Sequence, residues 1–135
     1  MSKNNRLLEL LDEVSQLINK KVSFSSLEGS LVTITGATGL VGLNIVSALV
    51  HYNKRYAKSQ IKINAISYTE PSGIFLELFS DSSVCNLFGD ITDHEFLNLI
   101  PFSDYIIHSA GYAQPGKFMN DKLKTIAINT TSTIG

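Results

Sequence analysis

The chain has 135 residues, about the size of one ordinary domain, and 44% of them are hydrophobic, enough to bury a core. Eleven basic against twelve acidic side chains leave a formal net charge of -1. That balance excludes the basic footprint that nucleic acid or an anionic membrane requires, and favours a small or neutral partner. No apolar run approaches the roughly 18 residues needed to span a bilayer. The amino terminus, "MSKNNRLLELLDEV", carries charges inside its apolar pattern, unlike a secretory leader. One cysteine, Cys85, cannot form an internal disulfide, and its setting in "SSVCNLF" predicts a buried strand thiol. These features predict a soluble, cytoplasmic protein.

Over residues 5–21 the apolar side chains Leu7, Leu8, Leu11, Val14 and Ile18, with Leu10 and Leu17 beside them, recur at spacings of three and four. The pattern predicts an amphipathic helix that packs on the body of its own domain. Residues 1–29 are therefore set apart as an amino-terminal helical extension, ended by the small and polar run "SFSSLEGS". Strands are predicted at 31–35, 61–67, 84–88 and 105–109, each short and rich in β-branched or aromatic residues. Helical segments fall between them at 40–56, 74–79 and 93–100, the last with Asp93 as a cap and Pro101 as a stop, and a final helix is predicted from about Asp121 to Ile134. Strand and helix alternate, which predicts an α/β doubly wound parallel sheet of about four strands over 30–135.

At the first strand-to-helix junction stands "GATGLVG", with Gly36, Gly39 and Gly42 at intervals of three. In that context Gly36 is expected to make the tight turn out of the strand. Gly39 would remove a β-carbon where a pyrophosphate meets the amides of the helix terminus, and Gly42 would let the helix lie close. The alternative is that the glycines serve turn and packing alone. A P-loop is excluded, because Leu43 and Asn44 follow Gly42 where Lys and Ser/Thr would be required.

With its flanking residues, "TGATGLVG" resembles the glycine motif of the extended short-chain dehydrogenase/reductases, the NAD-dependent epimerases and dehydratases. The stretches "GDITD", "DYIIHSAG" and "KTIAINTTST" resemble later motifs of that family in the same order, with Ser132 in place of a glycine between Asn129 and Thr133. "QPGKFMNDKLKTIAIN" is similar to the UDP-glucuronate decarboxylase and dTDP-glucose 4,6-dehydratase branch. The resemblance implies a Rossmann-type domain that binds NAD(P) through Gly36, Ala37, Thr38, Gly39, Leu40, Val41 and Gly42. It implies that Asp90 contacts the adenine amine, that Ile91 lies beside the ring, and that Ser109, Ala110 and Gly111 border the ribose and nicotinamide. Tyr112, Gln114, Pro115 and Lys117 follow on the carboxyl edge of the sheet, and Tyr112, Gln114 and Lys117 are candidates for the side of a nucleotide-sugar substrate. A homodimer through the helix near Asp121 is implied as well.

Two departures stand out. The second strand ends in "AISYTEPSG", so Ser67 occupies the place where a carboxylate usually takes the ribose hydroxyls, and Glu70 comes three residues late. No Lys or Arg lies in that turn, which favours NAD over NADP. Moreover, none of the five tyrosines has a lysine four residues later, whereas the family's catalysis uses a Tyr-x-x-x-Lys pair for proton transfer. No catalytic residue is assigned within this chain. The reading is the amino-terminal, cofactor-binding part of a longer nucleotide-sugar epimerase, dehydratase or decarboxylase that oxidises the sugar transiently. The rivals are a dinucleotide-binding module without catalysis and an inactive remnant. His51, His94 and His108 share no ligand spacing with Cys85, so no metal is expected.

Overall fold

The computed structural model describes residues 3–111 and 115–130. In chain order the elements are α1 (Lys3–Lys21), a single 3-10 turn (Ser25–Leu27), β1 (Leu31–Thr35), α2 (Leu40–Arg55), β2 (Lys62–Ser67), α3 (Ile74–Phe79), β3 (Val84–Phe88), α4 (His94–Leu97), β4 (Tyr105–His108), α5 (Pro115–Asn120) and α6 (Lys122–Asn129). The four strands form one sheet in the order β3-β2-β1-β4. Every pairing is parallel, with Val32 opposite Ile63 on one side and Tyr105 on the other. This is the doubly wound α/β sheet that the alternating pattern predicts, of the Rossmann type that the resemblance implies, with an additional amino-terminal helix.

Because side chains alternate along a strand, Val32, Ile34, Ile63 and Ala65 face α2 and α3, where they meet Val46, Leu49, Val50 and Phe79. Each fully buried branched side chain of this layer is worth roughly 1.5–3 kcal/mol relative to exposure. The opposite face carries Ile66, which packs on Ile91 and Ile128 with Phe96, Leu97 and Ala110 around them. The chain thus winds β1, β2 and β3 outward in one direction and returns to place β4 on the other side of β1. Strand order reverses between β1 and β4, and the crevice above their carboxyl ends is where open parallel sheets take ligands.

α1 lies along α2. Leu11 packs on Leu43 and Ile74, and the buried hydroxyls of Ser15 and Ser47 share a 2.8 Å hydrogen bond. Asn19 donates through Nδ2 to the carbonyls of Ser15 and Ala48. Lys54 and Arg55 lie in the last turn of α2, where cations complement the helix dipole. Among the described residues no helix is long and apolar enough to cross a membrane.

Three features differ from expectation. Cys85 is exposed, not buried: β3 is an edge strand, and Cys85 alternates with Val84, which takes the α2 and α3 side. α4 ends at Leu97 although Asp93 caps it as foreseen, accepting from the Glu95 amide. Its continuation tightens into i to i+3 turns at Leu99 and Ile100 before Pro101, which disfavours helix in the residue before it. α5 is a helix that periodicity does not reveal, opened by Pro115 at the first position, where a missing amide costs nothing. Asp121 then caps α6 by accepting from the Lys124 amide at 3.1 Å. β4 forms the other edge of the sheet, and Ile106 is exposed on it.

Candidate functional site

The crevice at the strand-order reversal is a cleft of about 760 Å³. Its floor is the glycine loop. Gly36 leaves β1 with φ +67°, a left-handed conformation that side chains rarely adopt. A β-carbon there would meet the Ser109 carbonyl oxygen and the Ala110 nitrogen, both at 2.7 Å. The loop is tied to β2 by the Ala37 amide, which donates to the Ile66 carbonyl at 3.0 Å, and is closed by the Gly39 amide donating to the Gly36 carbonyl at 2.9 Å.

Gly39 is the N-cap of α2 and supplies no side-chain cap. The first-turn amides of a helix have no intrahelical partners, and together with the macrodipole they suit an anion. A β-carbon on Gly39 would meet only the Gly36 carbonyl, at 3.2 Å, whereas one on Gly42 would lie 2.2 Å from that same oxygen. Gly42 therefore lets α2 close onto the loop itself. Thr38 and Gly39 line the cleft, Ala37 and Gly42 are buried, and Leu40 and Val41 are exposed outside the lining. Those last four residues shape the turn from behind or beside it.

The far wall is the end of β4. The Thr35 carbonyl accepts from the Ser109 amide at 3.2 Å and from its hydroxyl at 2.6 Å. His108 links Thr35 Oγ1, at 2.8 Å from Nδ1, to the Ile128 carbonyl, at 3.1 Å from Nε2. A carbonyl can only accept, so the neutral ring carries its proton on Nε2 and Nδ1 accepts from the Thr35 hydroxyl. Thr35 Oγ1 in turn accepts from the Ala110 amide at 3.3 Å. His108 is thus a brace that holds Ser109, Ala110 and α6 in fixed relation.

At the other end, Ser67 is the last residue of β2, and its hydroxyl donates to the Thr69 carbonyl at 2.9 Å. Gly89 sits where a β-carbon would meet the Phe96 ring at 2.5 Å. The Asp90 side chain accepts at Oδ1 from the Thr92 amide and hydroxyl, at 2.9 and 2.7 Å, and at Oδ2 from Lys124 Nζ at 2.9 Å. Burial opposes its ionisation, but the hydrogen bonds from Lys124 and Thr92 and the lysine charge outweigh that, bringing the pKa down from 3.8 to about 2. Lys124 Nζ also lies 5.2 Å from the centre of the Tyr68 ring, a cation–π distance.

The depressed Asp90 pKa sets the sign of a pH effect. The folded-state value lies below the unfolded one, so the stabilisation is present above about pH 4 and is lost as pH falls toward 2. For a partly exposed pair we expect it to be of order 1 kcal/mol. Denaturant titrations of wild type and Asp90→Asn should diverge above pH 4 and converge near pH 2; a difference that is constant with pH would refute the ion-pair account.

Of the residues predicted from sequence, the structure gathers Gly36, Thr38, Gly39, Ser67, Asp90, Ile91, Ser109, Ala110, Gly111 and Lys117 around one cleft. Tyr112 and Gln114 lie outside the described residues, as do Ser132 and Thr133. Seven cleft residues were not anticipated there: Ile66, Tyr68, Gly89, Asn120, Asp121, Lys124 and Ile128. Gly89 opens the "GDITD" stretch and was within reach of motif reading. Lys124 was not, because nothing local marks a helix lysine as facing a strand end far away in the chain.

The sequence profile described as the NAD dependent epimerase/dehydratase family matches residues 32–134. No curated protein matches the chain at a significant level. The profile covers the sheet from Val32 onward, the glycine loop and the cleft, and the chain belongs to that family.

Proposed function

We propose, from that membership, that the chain is the cofactor-binding part of a nucleotide-sugar epimerase, dehydratase or decarboxylase. Members of the family bind a nicotinamide dinucleotide, NAD or NADP. The observation that carries the reading is the uncapped start of α2 behind a loop that lacks β-carbons at Gly36 and Gly39, at the point where strand order reverses.

The residues fit such a group. The first-turn amides of α2 would hold the pyrophosphate, with Gly39 leaving room for it. Asp90, fixed by Thr92, would offer its remaining Oδ2 acceptor capacity to the adenine amine, and Ile91 would give the ring an apolar wall. Ser109, Ala110 and Gly111, braced through Thr35 and His108, would border the nicotinamide half. When bound, the nicotinamide supplies hydride exchange with the substrate carbon. Lys117, with Tyr112 and Gln114, would stand on the sugar side. A homodimer through α6 belongs to the same proposal, supported by the exposed Leu123 and Ile126 on that helix.

Gly39→Ala separates this reading from glycines that serve packing alone. Its β-carbon meets one atom at 3.2 Å, so we expect a loss of about 1 kcal/mol or less in stability, with dinucleotide affinity falling tenfold or more. Calorimetric titration of NAD and NADP alongside a thermal melt would show it. Unchanged affinity in the variant would remove the pyrophosphate from this loop. The second reading, a binding module without catalysis, predicts binding without sugar-dependent hydride exchange.

A further inference from the structure

Whether a Rossmann-type cleft takes NAD or NADP is decided beside the tip of its second strand, where a carboxylate accepts from the ribose hydroxyls or a cation meets the 2′-phosphate. In this chain the carboxylate is missing from that place. Ser67 is 2% exposed and spends its hydroxyl on the Thr69 carbonyl, and Glu70 is exposed and outside the cleft lining. No cation occurs in the turn itself, and on sequence alone that favours NAD. The fold brings one from elsewhere. Lys124, on the first turn and a half of α6, lines the cleft with its ammonium 5.2 Å from the ring of Tyr68, the residue directly after β2.

We infer that Lys124 reads the 2′ position of the adenine ribose, and that this cleft takes the 2′-phosphorylated dinucleotide in preference to the unphosphorylated one. The inference rests on the functional reading above. Asp90 does not cancel the lysine. Its Oδ1 is anchored by Thr92, so the carboxylate holds its place while it orients the ammonium. The ammonium sits on a flexible stem, so it can swing from Asp90 Oδ2 along the Tyr68 ring to meet a phosphate oxygen and leave Oδ2 to the adenine amine. The Tyr68 ring offers an uncharged wall and no acceptor suited to a ribose diol from its face. Removing the 2′-phosphate would leave the dinucleotide with neither the carboxylate that usually takes its hydroxyls nor a charge for Lys124.

The experiment is calorimetric titration of NAD and NADP into the wild-type chain, Lys124→Met and Lys124→Arg, at about 50 and 200 mM salt. The expected wild-type result is NADP bound tenfold or more tighter than NAD, with NADP affinity falling more steeply as salt rises, because one more charge contact is screened. Lys124→Met should bring the two Kd values together by weakening NADP, and Lys124→Arg should keep them apart. Should Lys124→Met fail to fold, the wild-type ratio and its salt dependence still decide. NAD bound as tightly as NADP, or a preference that survives Lys124→Met, overturns the inference and leaves the functional reading standing. Binding of neither dinucleotide overturns the functional reading, and this inference with it.

Discussion

Replacing Gly36 by alanine is expected to destabilise the fold by about 2–5 kcal/mol, adding the cost of a left-handed conformation for a residue with a β-carbon to that of overpacking. The two costs have separate causes. The first is set by φ +67°, which β1 needs in order to turn sharply into the loop. The second is set by β4, because the new carbon would sit 2.7 Å from the Ser109 carbonyl oxygen and the Ala110 nitrogen. Both are backbone atoms. They are held by bonds from Ser109 and Ala110 to Thr35, so they cannot swing aside as a flexible side chain would. A chain of this size loses roughly 3–5 °C of melting temperature per kcal/mol, and the melt of Gly36→Ala should fall well beyond 5 °C. A melting temperature within a degree or two of wild type would mean that the loop does not pass over β4 as closely as described.

The crossing at Gly36 also explains how much of the fold was legible from sequence. Interior strands of a parallel sheet are buried on both faces, and short runs rich in apolar and β-branched residues give them away, plainly in "LVTIT" and through Ile63, Ala65 and Ile66 in "KINAIS". The helices between them announce their period, and the glycine spacing marks the junction that matters most. Strand order is not written in those runs. That β3 lies at an edge and leaves Cys85 exposed depends on the direction in which each crossover turns, and no residue of "SSVCNLF" records it.

The cleft divides in the same way. Residues that act through backbone shape, such as Gly36, Gly42 and Gly89, leave a mark in composition, because a β-carbon at each would clash with its neighbours. Residues that act by reaching across the fold leave none. Asp90 sits in a quotable motif, yet the lysine that holds its carboxylate comes from α6. The charge at the end of β2 is accordingly visible only once α6 is seen to lie against the Tyr68 ring.

Gly42→Ala is expected to go against helix propensity. In the first turn of α2 an alanine should be favoured over glycine by nearly 1 kcal/mol, and an isolated helix would gain from the change. Here the β-carbon would lie 2.2 Å from the Gly36 carbonyl oxygen, 2.8 Å from its carbon and 2.9 Å from the Ala37 Cα. Ordinary contact would require α2 or the loop to move by about an ångström, and overpacking of that kind costs about 1–3 kcal/mol. The net result should be destabilisation. Binding should suffer more than stability, since the atoms displaced are those that aim the first-turn amides of α2, and we expect dinucleotide affinity to drop by more than tenfold. Gly36→Ala presses on the peptide between Ser109 and Ala110, and Gly42→Ala presses on the carbonyl of Gly36 itself, so the two sites are coupled through residue 36 and the double variant should depart from the sum of the two singles. Melts of the three variants, with a titration of each, check both points. If Gly42→Ala melted above wild type, helix propensity would have won, the close approach of α2 to the loop would not hold in solution, and the third glycine would have to be explained by something other than packing.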